Sequence, residues 1–339
     1  MKLISAKTVD SAWRQAHQLV MEASKNGGRQ ASRAGDTCEA LHVAIEIEDP
    51  SQHWVLSRSP AVNPAFGIAE VIWILAGSND ANILNYWFPG LPHFSGDGAT
   101  YPGAYGYRLR RHFGLDQIHR AFDVLNANPD SRQVVLQYWD GRTDLPCSNG
   151  VAQTSDIPCN VISMLKVRDG RLDWTQVMRS SDVCRGLPYN FLQFTMLQEM
   201  FAGWLDLQLG RYHHWSDSLH AYTDSVNEFS INNSVVPEYC AENLRTNVHD
   251  GEILINEMYR RMTDLTKPTL GASDIIDLTL NPGLPAPYRN LLIILGAEAS
   301  RRRNEFDQAQ WLMKTCTNRQ LYQAWELWWT RVSLAQNVG

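Results

Sequence analysis

Apolar residues recur at Ala12, Ala16, Leu19, Val20 and Ala23, a spacing that predicts an amphipathic helix over 8–24. Residues 64–76 are apolar almost throughout and are followed by Gly77, which predicts a buried helix and its stop. One carboxylate, Glu70, interrupts this run, where burial would raise its pKa. Further helices are expected over 115–125 and 188–205. Strand patterns occupy 41–47, 132–139, 160–167, 171–178 and 208–215. Asp169-Gly170 joins two of these and is the strongest hairpin signal in the chain. Such a hairpin brings Cys159, at the mouth of its first strand, close to Arg179 at the far end of its second. Residues 25–35 form a polar, Gly-rich segment expected to be a loop, with Arg29 and Arg33 in it. From about 238 the pattern turns mostly helical, with the run Arg301-Arg-Arg expected on a solvated helix face.

Composition narrows the function classes. The 339 residues are 44% apolar and 19% charged, enough for a large core in one big domain or two ordinary ones. A net charge of −6 gives no basic field, so a nucleic-acid polymer is excluded as partner and any anion must be held by local arginines. No apolar run approaches a membrane span and the first ten residues hold no apolar leader, so a cytoplasmic protein is expected. The six cysteines lack CxxC spacing, which suggests neither zinc nor a disulfide framework. His213 and His214 are adjacent on a strand and face opposite sides, so no metal site is expected there.

The chemistry concentrates in Asp156-Ile-Pro-Cys159-Asn160, in Arg179-Ser180-Ser-Asp182-Val-Cys-Arg-Gly186-Leu-Pro-Tyr-Asn190, and in Asp217-Ser-Leu-His220-Ala-Tyr222. Glu70-Val-Ile-Trp-Ile-Leu-Ala-Gly, Gly103-Ala-Tyr105-Gly-Tyr-Arg and Pro129-Asp-Ser-Arg132 precede them. In this order the six motifs resemble the thymidylate synthase superfamily, over roughly residues 29–225. The resemblance implies an α/β fold with a predominantly antiparallel sheet flanked by helices. It also implies a homodimer with shared active sites and 5,10-methylenetetrahydrofolate as co-substrate. The partners are then folate and a pyrimidine nucleoside monophosphate. Residues 1–240 would be the catalytic domain and 241–339 a helical extension packed on it.

The resemblance also distributes roles. Cys159 resembles the nucleophile that adds to C6 of the pyrimidine, and a thiolate needs a cation beside it, for which Arg179 is the candidate. Glu70 resembles a buried carboxylate that relays protons, with Tyr105 as its supporting phenol. Arg33, Arg179 and Ser180 match phosphate contacts, and Arg132 resembles the arginine lent by the partner subunit, although Gln133 stands where most members have a second arginine. Asn190 matches the base-reading amide, His220 and Tyr222 the sugar-binding pair, and Asp182 and Gly186 folate contacts. Asn160 replaces the histidine that follows the nucleophile in ordinary synthases. No tryptophan stands near 91–94, so no aromatic platform is expected there, and the short closing tail of the synthases is missing. These departures favour 5-hydroxymethylation, with water capturing the methylene, over the reductive methylation of a thymidylate synthase, and they leave uracil and cytosine both open. A cysteine hydrolase built on Cys159 and His220, and a catalytically dead nucleotide-binding module, are the readings from other classes.

Overall fold

A computed structural model describes residues 1–25, 27, 29–32, 35–280 and 283–336. Strand β1 (Lys2–Ala6) leads into α1 (Val9–Lys25), then β2 (Arg29–Ser32), β3 (Gly35–Ile47) and β4 (Arg58–Ser59). Next come α2 (Pro64–Leu75), α3 (Ala81–Trp87), α4 (Pro92–Ser95), α5 (Tyr105–Tyr107) with a π-helical turn (Arg108–His112), and α6 (Gln117–Ala127). They are followed by β5 (Val135–Gln137), β6 (Asn160–Arg168), β7 (Arg171–Asp182), α7 (Gly186–Trp204), β8 (Gln208–Tyr222) and β9 (Ser230–Ile231). Helices α8 (Val248–Leu265), α9 (Ala272–Leu280), α10 (Ala286–Arg302), α11 (Phe306–Lys314) and α12 (Arg319–Gln336) come last.

The sheet runs β1-β3-β8-β7-β6-β5, with β2 added beside β3. The pairs β1/β3 and β7/β8 are parallel and the other pairs antiparallel, as expected of a predominantly antiparallel sheet. Asp169 and Gly170 both hold positive φ, 51° and 69°, the backbone of a two-residue hairpin turn. Val43, Leu165, Trp174 and Tyr212 point to one face and are buried under the helices. On the other face Ala44, Trp215, Val177 and Ile162 are register neighbours across four strands and stay only half-buried.

Helices α2 and α7 are buried nearly all round and pack on each other beneath the sheet. Gly67 allows this approach, since a Cβ there would lie 2.6 Å from Leu192. Likewise a Cβ on Gly106 would meet the Ile74 carbonyl oxygen at 2.1 Å, so glycine is required for α5 to reach α2. Helix α10 is buried from Leu291 to Ser300 and packs on α2, α8, α9 and α11. The C-terminal helices therefore share one apolar core with the sheet-bearing part.

Several sequence expectations are corrected. Residues 29–32 are strand rather than loop, paired with β3 from Arg29↔Cys38 to Ser32↔Gly35; all four are exposed, so they carry no apolar alternation. Only Val135–Gln137 of the expected strand 132–139 pairs, as a short sheet edge. Strand β8 runs past Trp215 to Tyr222: Asp217 is exposed on the less covered face, and Ser218, on the opposite one, donates to Glu39 Oε2 at 2.6 Å. The run at 301–303 is a clamp rather than a solvated face. Arg301 forms a two-pronged ion pair with buried Glu298, Arg302 lies 4.8 Å from the Tyr86 ring, and Arg303 donates to the Tyr86 hydroxyl at 2.6 Å.

Candidate active site

Cys159 precedes β6 and Arg179 lies near the end of β7, whose backbone N–H donates to the Cys159 carbonyl at 3.0 Å. The Arg179 guanidinium is held by the carbonyls of Pro158, at 3.0 Å from Nε, and Ile157, at 3.3 Å from Nη2. That grip aims Nη2 at Cys159 Sγ, 3.8 Å away, where a positive charge stabilises a thiolate. A β-bulge between Asn160 and Ile162 re-aims the chain directly after the cysteine.

Asn160 is fully buried behind it. Its Oδ1 accepts from Gln176 Nε2 at 2.7 Å, while Gln176 Oε1 accepts from Ser163 at 2.5 Å and Trp174 at 3.2 Å. An indole N–H only donates, so the orientation of both amides follows, and Asn160 presents Nδ2, which has no partner among the described residues.

From α2, Glu70 reaches the same region. Burial pushes its carboxyl up to about 7, and a hydrogen bond from Gln193 offsets only part of this. Its Oε2 is enclosed without a hydrogen-bond partner among the described residues. The Tyr105 phenol is pushed well up by burial and then by the fields of Cys159, Glu70 and Asp156, with Arg179 acting the other way. The fields of Cys159, Glu70 and Arg179 all reach Tyr105, which therefore lies near each of the three. The ring packs edge-on to Tyr138 at 5.8 Å.

The parallel pairing of β7 with β8 sets Ser180 beside Ser218 and Asp182 beside His220. Ser180 Oγ lies 3.4 Å from His220 Nδ1, and the His220 ring meets Tyr222 edge-on at 5.6 Å. Asp182 Oδ1 accepts from the backbone of Cys184 and Arg185 and so fixes the turn into α7. That turn carries Gly186 and, one helical turn on, Asn190, whose Nδ2 donates to Gln193 at 3.1 Å.

Arg33 lies outside the described residues. Arg132 is exposed, and Leu165 N–H donates to the Val134 carbonyl, which places Arg132 toward the hairpin turn, roughly 25 Å along β6 from Cys159. Two other residues escaped the sequence reading. Gln193 was legible only as a residue at i+3 from Asn190 on a helix. Arg185, next to Asp182, lies over Tyr222 at 5.4 Å and Phe94 at 5.9 Å. Phe94 also stacks on Phe88 at 6.4 Å and is 48% exposed, so an aromatic surface does stand at 91–94, made of phenyl rings rather than indoles.

The family model described as thymidylate synthase matches residues 14–256. The chain belongs to the thymidylate synthase family. It is 34% identical to the deoxyuridylate hydroxymethyltransferase of Bacillus phage SP01 over 211 residues, 59% of this chain and 54% of that protein. With the deoxyuridylate hydroxymethyltransferase of Pseudomonas phage M6 it shares 32% over 232 residues, 67% of this chain and 64% of the relative. The thymidylate synthase of Mycoplasma pneumoniae is 24% identical over 213 residues, 54% of this chain and 72% of that enzyme. The chain spans between 54% and 64% of the length of its hydroxymethyltransferase relatives. As in the rest of the thymidylate synthase family motifs quoted above, the matched span holds Cys159, Arg179 and Asn190. Among the described residues no helix is long and apolar enough to cross a membrane.

Proposed function

We propose that this chain transfers a one-carbon unit from methylenetetrahydrofolate to C5 of deoxyuridylate and releases the 5-hydroxymethyl nucleotide. The observation that carries the reading is the Cys159–Arg179 pair, 3.8 Å apart, with Tyr105 lying near both it and the enclosed Glu70 carboxyl. The relatives named deoxyuridylate hydroxymethyltransferase favour the hydroxymethyl outcome and the uracil base.

In this reading the Cys159 thiolate bonds to C6 of the ring, and the electron pair moves to C5 and the C4 oxygen. Folate supplies the one-carbon unit at the oxidation level of formaldehyde. C5 bonds to that carbon, and Glu70, near neutrality in its acidity, moves protons at the C4–C5 edge through water. Loss of the C5 proton breaks the bond between the transferred carbon and the folate nitrogen, expels tetrahydrofolate and leaves a methylene on the ring; water adds to it, and the Cys159–C6 bond breaks to free the thiolate. Ser180 and Arg179 bind the phosphate, His220 and Tyr222 the sugar hydroxyl, and Asn190 the base. The rim of Asp182, Gly186 and half-exposed Phe94 fits a flat heteroaromatic ring system, so these residues would hold folate.

The half-buried stripe Ala44–Trp215–Val177–Ile162 supports a homodimer formed through this sheet face, with Arg132 serving the partner's phosphate. Residues 241–339 then form a helical extension to a catalytic domain of residues 1–240. The Phe88–Phe94 surface favours one second reading, thymidylate synthase, since a hydride route needs an aromatic wall that excludes water. Incubation with methylenetetrahydrofolate and each of dUMP, dCMP, UMP and CMP, followed by product mass, tests the proposal. A hydroxymethyl product from dUMP is expected; no product from any of the four overturns it.

A further inference from the structure

Gln193 and Asn190 stand one turn apart on α7 and both are buried, Gln193 to within 1% of complete enclosure. Asn190 Nδ2 donates to Gln193 Oε1 at 3.1 Å, and Gln193 hydrogen-bonds the Glu70 carboxyl. An ionised carboxylate only accepts. Gln193 must therefore offer Glu70 its Nε2–H and turn Oε1 toward Asn190, and Asn190 must in turn offer Nδ2. The free side of Asn190 is its Oδ1, which looks toward Gly186, where a Cβ would come within 3.7 Å of it. A carboxylate on α2 thus sets the direction of an amide on α7 that it does not touch.

We propose that Gln193 is a positioning residue that fixes the reading direction of Asn190 and so makes the site select uracil over cytosine. The inference rests on the function proposed above, in which Glu70 serves the C4–C5 edge of the ring. Nδ2 lies on the Glu70 side of the Asn190 amide, so its second N–H meets the substituent at C4, and Oδ1 meets N3. Uracil supplies an accepting oxygen at C4 and a donating N3–H, and both pair. Cytosine supplies an amino donor at C4 and an accepting N3, and both oppose like with like. Turning Asn190 over to suit cytosine would set its Oδ1 against Gln193 Oε1. Turning Gln193 as well would aim its Oε1 at Glu70, which that carboxyl can meet only when protonated.

Base choice and the charge of Glu70 are therefore linked. The titratable groups that share Glu70's field are Tyr105 of α5 and Tyr189 of α7, and burial pushes both phenols upward, so they stay neutral while Glu70 titrates. Beyond them, Cys159, Asp156 and Arg179 face Tyr105, and Arg58 and Arg331 of α12 face Tyr189. From α3, α8 and α10 no charged group contributes to the acidity of Glu70, which burial and Gln193 set.

The test compares kcat/KM on dUMP and dCMP for the wild type and Gln193→Met, with Gln193→Leu as a second variant should the first not fold. The preference for dUMP is expected to fall by roughly tenfold or more. The acid limb of the dUMP profile should also move to higher pH, because a hydrogen bond to the charged form of Glu70 is gone. A purely structural role would lower both substrates alike and leave that limb in place, and this result would overturn the relay. A wild type inactive on both nucleotides would instead sink the proposed function, so the two failures are distinguishable.

Discussion

Glu70 offers the sharpest physical prediction, because its carboxyl should cost the fold stability in a pH-dependent way. Burial holds the folded-state value at about 7 against an ordinary 4.5. At about 1.4 kcal/mol for each tenfold change in proton affinity, the ionised group destabilises the folded protein by about 3 kcal/mol. The sign follows from linkage. Below pH 4.5 both folded and unfolded chains hold the proton and there is no cost; the cost grows as pH rises toward 7 and is complete above it. Glu70→Gln removes the charge and keeps the shape. Measured by urea unfolding, the variant should gain about 2 to 3 kcal/mol relative to the wild type between pH 5 and pH 8. Its kcat/KM should fall by about a hundredfold or more, since its amide carries no proton to the ring. A stability difference that stays constant between pH 5 and pH 8 would show that Glu70 does not titrate with a raised pKa in the folded protein. A variant that is stabilised at pH 8 and turns over normally would show that Glu70 moves no proton in the reaction.

Three further outcomes are expected. Cys159→Ala should abolish turnover and leave nucleotide affinity within a few-fold of the wild type, by calorimetry; retained release of tritium from C5 would assign the nucleophile elsewhere. Mixed and reassociated chains of inactive Arg132→Ala and inactive Cys159→Ala should recover activity if two chains build each site, whereas verified subunit exchange without recovery would count against it. Arg108→Met should cost about 3 to 5 kcal/mol in urea unfolding, because it strands Asp144, paired at 2.8 Å through both oxygens and fully buried; a loss under about 1 kcal/mol would contradict that.

Much of this site could be read from the chain because it depends on local rules. Asp169-Gly170 dictates a tight hairpin, and the hairpin alone brings Arg179 to Cys159. An acid in the middle of an otherwise apolar helix is buried wherever that helix is buried, so the upward push on Glu70 was foreseeable from residues 64–76. What could not be read depends on contacts between distant elements. Arg301 to Arg303 look solvated until Glu298 and Tyr86 are placed beside them. Phe94 looks like an isolated surface residue until Phe88 and Arg185 meet it. Strand β2 escaped because a hairpin exposed on both faces leaves no apolar period in its sequence. Gln193 escaped because a buried amide inside an apolar helix has no signature of its own; only its two partners give it meaning.

In the proposed function water, not hydride, completes the reaction begun by Cys159. The most direct measurement is the mass of the nucleotide formed from deoxyuridylate and methylenetetrahydrofolate in water enriched in heavy oxygen, with the absorbance of dihydrofolate followed alongside. A 5-hydroxymethyl product that carries the heavy isotope, without dihydrofolate, is expected. A methyl product free of the label, formed with stoichiometric dihydrofolate, would contradict it.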